Sequence, residues 1–176
     1  FGAEVLKVES VSRYDPERGP AKFIPGARMR LYPDGEPGER PYNRAGRFNS
    51  YNRSKIGLTL DLRSEDGNDQ MRNLVEISDV VVENFTPGVM GRFGLDYDAV
   101  KAVSPKVVYC SISGFGQDGP YRNRPAYDQI MQGVGGLMSI TGEPDGEPQK
   151  IGIAVTDIGA GMWSAFAIMA ALHHRE

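Results

Sequence analysis

Short apolar segments alternate with segments of helical spacing along the chain, and this alternation limits the fold more than any other feature. We predict strands at 5–9, 57–62, 79–84 and 106–113. Helices are expected between them, at 68–78, within 85–93 and at 97–103. The strand at 79–84 is too apolar to be half exposed, as parallel sheets require. The pattern predicts an α/β fold with a doubly wound, mostly parallel sheet, whose ligand sites lie at the carboxyl ends of its strands.

The segment 12–50 departs from this pattern. It contains six of the twelve prolines, many glycines, and arginines at 13, 18, 28, 30, 40, 44 and 47. Such a composition predicts a long irregular loop. Two interpretations stay open, a surface excursion and a basic lid near a polyanionic ligand.

The totals limit the classes of partner. A formal net charge of −3 does not favour nucleic acid. No apolar run approaches the ~18 residues that span a bilayer, so we expect no membrane contact. The single cysteine, Cys110, fits a buried strand and a reducing, cytoplasmic location. His173 and His174 are adjacent and point about 100° apart on a helix, so we expect no metal site.

The stretch 151–176 consists of a short apolar run, an acidic residue and a long helix. Asp157 stands just before the helical spacing begins, where it could simply cap the helix. Alternatively it is a nucleophilic carboxylate kept ionised by the helix N-terminus. Gly159 and Gly161 leave the first turn nearly bare, so that another molecule could approach the carboxylate and the backbone amides.

The glycines at 114, 116 and 119 match G-x-G-x-x-G directly after a predicted strand. The dinucleotide fingerprint needs a helix to open within the glycines, whereas Pro120 and the residues after it predict a loop. We therefore do not expect NAD or FAD. A Ser-His-Asp hydrolase is also unsupported, because the sequence has no G-x-S-x-G elbow.

Tyr127 and Asp128 stand at the start of another predicted helix. Asp128 could be an ordinary first-turn acid with Tyr127 as an anchor. Alternatively, the phenol and the carboxylate could face Asp157 across a pocket and donate or orient protons.

Several stretches together resemble the class III CoA-transferase family, which includes formyl-CoA transferase, carnitine CoA-transferase and the α-methylacyl-CoA racemases. The similar pieces keep the family's order, and ENF-x-PG with the late G-x-x-x-TD is the most specific combination. They are GAEVLKVE (2–9), NRSKIGLTLDL (52–62), DVVVENFTPGVMGRFGL (79–95), PKVVYCSISGFGQDGP (105–120), RPAYD (124–128), GLMSITG (136–142) and VTDIGAGMWSAFAIMAAL (155–172).

The resemblance implies a longer chain with a Rossmann-like large domain, a smaller domain, and two subunits threaded through each other as an interlocked homodimer. Residues 1–176 would be part of the large, CoA-binding domain. The small domain and a glycine-rich loop over the active site would lie outside this chain. Its ends agree with this expectation, because Phe1 opens inside an expected helix-to-strand junction and the chain stops at the end of a helix.

The resemblance also implies a set of site residues. Asp157 matches the catalytic nucleophile, with Tyr127 and the backbone of Gly159 in supporting roles. No cofactor is expected to be bound permanently, because CoA and acyl-CoA are substrates. The implied CoA contacts are Leu60, Arg63, Asn84, Phe85, Val89 and Arg92. The side chains suit the ligand, since adenine needs apolar walls and phosphates need cations. Pro125 stands where some relatives carry a basic residue.

The expected reaction moves CoA between an acyl-CoA thioester and a free carboxylic acid through an aspartyl anhydride/thioester intermediate. The arginine-rich 28–47 stretch suggests a dicarboxylate such as succinate as one partner. The racemase branch keeps the aspartate but pairs it with a histidine at the position of Tyr127. A phenol is a poor base at neutral pH, so transferase is preferred and a racemase or a non-catalytic CoA-binding relative is the alternative.

Overall fold

The computed structural model describes residues 2–19, 32, 34–36 and 38–176. The chain divides into two compact units, Phe1–Met71 and Arg72–Glu176, and each contains one two-stranded parallel sheet. This confirms the mixed α/β class. A single doubly wound sheet and a single partial large domain stay predictions, and the two units are described separately.

The sheet of the first unit pairs β1 (Val5–Glu9) with β2 (Lys55–Thr59), in a register that sets Val5 opposite Lys55 and Glu9 opposite Thr59. The predicted second strand at 57–62 is therefore displaced by two to three residues. Leu60 still donates its N–H to Glu9 O at 3.0 Å, and then the chain turns. The turn forms because Asp61 accepts bonds from the backbone N–H groups of Arg63 and Ser64.

The segment 12–50 is more ordered than its composition predicts. Its described part contains two 3₁₀ turns, Pro16–Arg18 and Pro41–Asn43, and the helix α1 (Gly46–Tyr51). Phe48 is buried, with the Arg18 guanidinium 3.6 Å from the centre of its ring. The prediction of a structureless loop is thus wrong for these residues, because Arg18 and Phe48 give them a small core. Arg28 and Arg30 lie outside the described residues.

The helix α2 (Glu65–Glu76) begins three residues before the predicted start. Ser64 causes the earlier start: its Oγ accepts the Gly67 N–H at 3.1 Å and its carbonyl accepts the Asn68 N–H at 3.0 Å. The boundary between the two units falls within this helix.

The sheet of the second unit pairs β3 (Val80–Glu83) with β4 (Val108–Ser111), with Val80 opposite Val108. Between the strands lie the short helix α3 (Val89–Arg92) and α4 (Tyr97–Val103). The buried apolar side chains of this unit are Val75, Val81, Met90, Leu95, Val100 and Val107. Val82, on the other face of β3, is 55% exposed, so the prediction that this strand is covered on both faces is wrong. Alternating residues of a strand point to opposite faces, and here one face is packed.

A long loop follows β4 and leads to α5 (Asp128–Val134), a 3₁₀ turn (Leu137–Ile140) and the final helix α6 (Val155–Arg175). No helix opens among Gly114, Gly116 and Gly119, as predicted.

None of the side chains of α6 is buried. By length and composition α6 could cross a membrane, which corrects our statement that no apolar stretch is long enough. Many of its residues are uncharged alanines and glycines, so the helix carries few charges. A core helix of a soluble protein passes the same test, so this is weak evidence.

Candidate active site

The N-termini of α5 and α6 meet through the carboxylate of Asp128. Its Oδ1 accepts the backbone N–H of Thr156 at 2.9 Å and the Thr156 hydroxyl at 2.8 Å. An N-cap side chain normally accepts such bonds from its own helix, but here the accepting carboxylate belongs to another helix, α5. The first turn of α6 is therefore capped by Asp128.

Asp157 is the third residue of α6, since the helix begins two residues before it. The interpretation of Asp157 as the N-cap is therefore wrong, because Ala154 occupies that position and Asp128 provides the bonds. Within the described residues the Asp157 carboxylate accepts no hydrogen bond, and the residue is exposed. It lies at the positive end of a 21-residue helix with both oxygens available.

The electrostatics at Asp157 differ from the prediction that the helix N-terminus favours its charged form. Desolvation and the negative charge of Asp128 both raise the pKa of Asp157 above its ordinary value. Asp128 has the opposite balance. Desolvation acts to raise its pKa, but the hydrogen bonds from Thr156 and Gln132 outweigh this and lower it. Two neighbouring carboxyl groups thus have pKa values pushed apart, with Asp128 the more strongly ionised.

Gly159 gives Asp157 open surroundings. A Cβ built on Gly159 or Gly161 would meet no atom within 4 Å. As the fifth residue of α6, Gly159 directs its N–H along the helix toward the Val155 carbonyl. An oxyanion contact by this N–H, as the resemblance implies, would have to replace that bond.

Tyr127 is the N-cap residue of α5 and lies next to Asp128 in the chain. Its side chain is 73% exposed. Nearby, the guanidinium of Arg124 lies 4.0 Å from the centre of the Tyr121 ring. The chain leading into α5 therefore presents an exposed phenol and a cation stacked on an aromatic ring.

The implied CoA contacts of the second unit follow the carboxyl end of β3. Asn84 donates from Nδ2 to the Ile112 carbonyl at 2.7 Å and so ties the ends of β3 and β4 together. Phe85 is 47% exposed, and its N–H is held by Glu83 Oε2 at 2.7 Å. Val89 opens α3, and Arg92 closes it with an exposed side chain. An exposed aromatic ring thus lies just after β3, and an exposed cation lies at the end of the helix that follows.

The implied CoA contacts of the first unit are Leu60 and Arg63. Leu60 is partly buried, directly after β2. Arg63 makes two bonds to Asp61, Nε to Oδ1 at 3.0 Å and Nη2 to Oδ2 at 3.1 Å, and a third to Ser12 Oγ at 2.8 Å. Binding of a phosphate by Arg63 would therefore have to compete with Asp61.

Most of the described arginines of the 12–50 segment are similarly engaged. Arg18 is paired with Glu9 at 2.7 Å, Arg44 with Asp34 at 2.6 Å and Arg47 with Glu17 at 3.0 Å. The charges of Arg44 and Arg47 are balanced inside the segment, and that of Arg18 is balanced by the end of β1. A basic lid would have to rely on the other arginines.

A cavity of about 680 Å³ also lies in the second unit. It is lined by Met90, Tyr97, Tyr109 and the buried Glu83, among others, and desolvation there raises the pKa of Tyr109 to about 12. Neither Asp157 nor the implied CoA contacts of this unit belong to its lining. The candidate site is an open surface around Asp157.

Sequence reasoning missed Gln132, which is fully buried. Its Nε2 donates to Asp128 Oδ2 at 2.7 Å and to the Ile153 carbonyl at 3.2 Å, and its Oε1 accepts the Ile151 N–H at 2.8 Å. The spacing of Asp128 and Gln132, four residues apart on one helix, is the local signal that could have pointed to it. Thr156 was also missed as a partner of Asp128.

Comparison with known proteins gives one consistent result. A model of CoA-transferase family III matches residues 1–176. A succinate–glutarate CoA-transferase of Agrobacterium fabrum is 45% identical over 176 residues, which are 99% of this chain and 41% of that protein. A formyl-CoA:oxalate CoA-transferase of Streptomyces avermitilis is 37% identical over 176 residues, 100% of this chain and 39% of the relative. The chain thus spans about two fifths of these relatives.

The same holds among solved structures. The crystal structure of a CAIB/BAIF family protein from Brucella suis superimposes with a TM-score of 0.82 at 45% identity. The match covers 99% of this chain and 43% of that structure.

Proposed function

This chain belongs to CoA-transferase family III, and on that premise we propose that it is part of an enzyme that moves CoA from an acyl-CoA thioester to a free carboxylic acid. The observation that supports the proposal most is Asp157. Its carboxylate is exposed, accepts no hydrogen bond within the described residues, and stands at the positive end of α6 with open space at Gly159. A nucleophile needs such access.

In the proposed reaction, an Asp157 oxygen attacks the carbonyl carbon of the donor thioester. The C–S bond breaks, leaving a mixed anhydride on Asp157 and a CoA thiolate. The thiolate then attacks the aspartyl carbonyl, which releases the donor acid and forms an aspartyl-CoA thioester. The acceptor carboxylate attacks that thioester, and the thiolate returns to the acceptor acyl carbon of the new anhydride. Asp157 is regenerated, and every bond broken is replaced by one of similar energy.

The CoA contacts are proposed residue by residue. In the first unit, Leu60 is proposed to offer apolar surface and Arg63 positive charge to CoA. In the second unit, Phe85 and Val89 are proposed to offer apolar surface and Arg92 positive charge. Asn84 holds the end of β3 through Ile112 and so fixes the backbone from which Phe85 projects. Tyr127, exposed beside Asp128, is proposed to orient the acyl group rather than to act as a base.

The exchanged acids are proposed to include a dicarboxylate such as succinate. The names of several relatives support this class, among them the succinate–glutarate enzyme of Agrobacterium fabrum. We further propose a cytoplasmic homodimer that binds CoA only as a substrate. Fractionation of cells and light scattering of the purified protein test the location and the dimer.

The test of the reaction uses the full-length protein in D₂O with succinyl-CoA and a panel of free carboxylic acids. We expect new acyl-CoA masses without deuterium at the α-carbon, and we expect Asp157→Ala to abolish them while CoA still binds. Lys101→Ala, which removes an exposed cation of α4, is the control and should keep the wild-type rate. If 2-methylacyl-CoA takes up deuterium with no exchange of acids, the protein is a racemase and the proposal fails.

A further inference from the structure

The hydrogen bonds of Asp128 are directed entirely at the neighbourhood of Asp157. Its Oδ1 holds the N–H and the hydroxyl of Thr156, the residue directly before Asp157. Its Oδ2 accepts from Gln132, which in turn holds the backbone of Ile151 and Ile153 in the approach to α6. Hydrogen bonds from α5 therefore hold both the first turn of α6 and the residues just before the helix begins.

This arrangement separates two tasks that one aspartate could otherwise perform. If Asp157 capped its own helix, its oxygens would be occupied by backbone N–H groups. Because Asp128 makes the capping bonds, the Asp157 carboxylate accepts no hydrogen bond within the described residues, while the Asp157 backbone bonds to Asp128. A carboxylate that must attack a thioester needs a free oxygen in a fixed orientation, and the arrangement supplies both.

We propose that Asp128 is a positioning residue for Asp157, holding the first turn of α6 in place and freeing the Asp157 carboxylate to react. The inference rests on the proposed function, in which Asp157 is the nucleophile. Asp128 itself is not expected to touch the substrate, since both of its oxygens are engaged within the protein.

The charge of Asp128 adds a second effect. It lies close enough to Asp157 to raise the pKa of that carboxyl, and it is the titratable group whose charge acts on Asp157 within the described residues. A carboxylate with a raised pKa is also a more basic and therefore stronger nucleophile. Removing the charge while keeping the cap should make Asp157 more acidic and less reactive.

Two substitutions divide these effects. Asp128→Asn keeps one carbonyl oxygen that can accept from Thr156 but removes the charge. Asp128→Ala removes both. Asp96→Ala is the matched control, because Asp96 caps α4 by accepting the Ala99 N–H at 3.1 Å. Among the described residues it makes no bond to α6. The control substitution should lower stability and leave turnover unchanged.

The experiment uses the full-length protein and two readouts. Steady-state transfer from succinyl-CoA should show kcat about tenfold lower in Asp128→Asn and about a hundredfold lower in Asp128→Ala, with KM within threefold of wild type. Carbodiimide coupling of glycine ethyl ester at Asp157, followed by peptide mass spectrometry against pH, should show a lower apparent pKa for Asp157 in Asp128→Asn. This second readout needs no turnover.

The outcomes separate this proposal from the proposed function. If kcat changes less than twofold in both variants and the coupling profile of Asp157 does not move, Asp128 is a structural cap and the positioning role is overturned. If wild type transfers no CoA but the coupling profile moves, the transferase proposal fails, while the electrostatic relationship between the two aspartates is supported. If Asp128→Ala does not fold, Thr156→Val, which loses one of the two bonds, takes its place with a smaller expected loss.

Discussion

Gln132 Oε1 accepts the backbone N–H of Ile151 at 2.8 Å, while the same side chain donates to Asp128 and to the Ile153 carbonyl. The side chain is fully buried, and all of these bonds lie inside the second unit. One amide thus joins α5 to the segment that leads into α6.

Replacing Gln132 with Leu should destabilise the protein. The change removes the bonds that Gln132 makes to the Ile151 N–H and to Asp128 Oδ2, which costs about 1–3 kcal/mol of unfolding free energy for each group that water cannot reach. Urea denaturation of the full-length protein measures the change. Gln129→Leu, on the exposed side of the same helix, is the control and should stay within about 0.5 kcal/mol of wild type.

Gly67→Ala should also be destabilising, by about 1–3 kcal/mol. A Cβ at position 67 would collide with the backbone carbonyl of Asp61, in the turn that starts α2. Gly57→Ala is the matched change in β2, where a Cβ meets no atom within 4 Å. Thermal unfolding of both variants decides the point: equal midpoints would mean that the turn gives way at little cost.

Stability should fall in acid partly because of Glu9. The Arg18 side chain, through its hydrogen bond, lowers the pKa of the Glu9 carboxyl below its ordinary value of 4.5. A carboxyl with a lowered pKa in the folded protein stabilises it above the unfolded pKa, and this contribution is lost as pH falls through the folded pKa.

The free energy of unfolding, followed from about pH 6 to about pH 3, should therefore drop less steeply in Glu9→Gln than in wild type. Arg18→Met should flatten the profile in the same way, since it removes the partner. Unchanged slopes in both variants would show that the pair is not formed in solution.

Arg92→Ala should raise the KM for acyl-CoA about tenfold and change kcat little. An exposed cation that binds a phosphate contributes to substrate and transition state alike, so its loss appears in KM. Arg63→Ala should have a smaller effect, because Arg63 already bonds to Asp61 and Ser12. Initial rates at varied succinyl-CoA concentration, with Lys101→Ala as the control, compare the KM increases of the two variants. A larger increase in Arg63→Ala than in Arg92→Ala would contradict the prediction.

The sequence predicts local structure well where local bonds decide it. α4 has the predicted bounds because Asp96 caps it by accepting the Ala99 N–H three residues later. The helical spacing predicts the start of α6 after Asp157, but the helix begins at Val155, because a distant residue and not a local one makes the capping bond. The residue that caps it, Asp128, is 28 positions away in the chain, and no local pattern reveals that bond.

Burial was similarly hard to predict. Gln132 is polar and is fully buried, because Asp128 on its own helix and the backbone of Ile151 and Ile153 satisfy its amide. Val82 is apolar and is more than half exposed, since its strand is packed on one face. Asp157 was found from its position beside two glycines and from the resemblance, whereas its free carboxylate could be explained only through Asp128.

The exposed face of α6 has a consequence for spectroscopy. Trp163 is the one tryptophan of the sequence and is 76% exposed in that helix, next to Phe166. Tryptophan emission from this chain therefore comes from a single known place. A tryptophan emission maximum at long wavelength, readily quenched by iodide, indicates that this helix surface is exposed to solvent. A shift of this maximum to shorter wavelength, with weaker quenching, indicates that an apolar surface has covered Trp163. The measurement needs no added label.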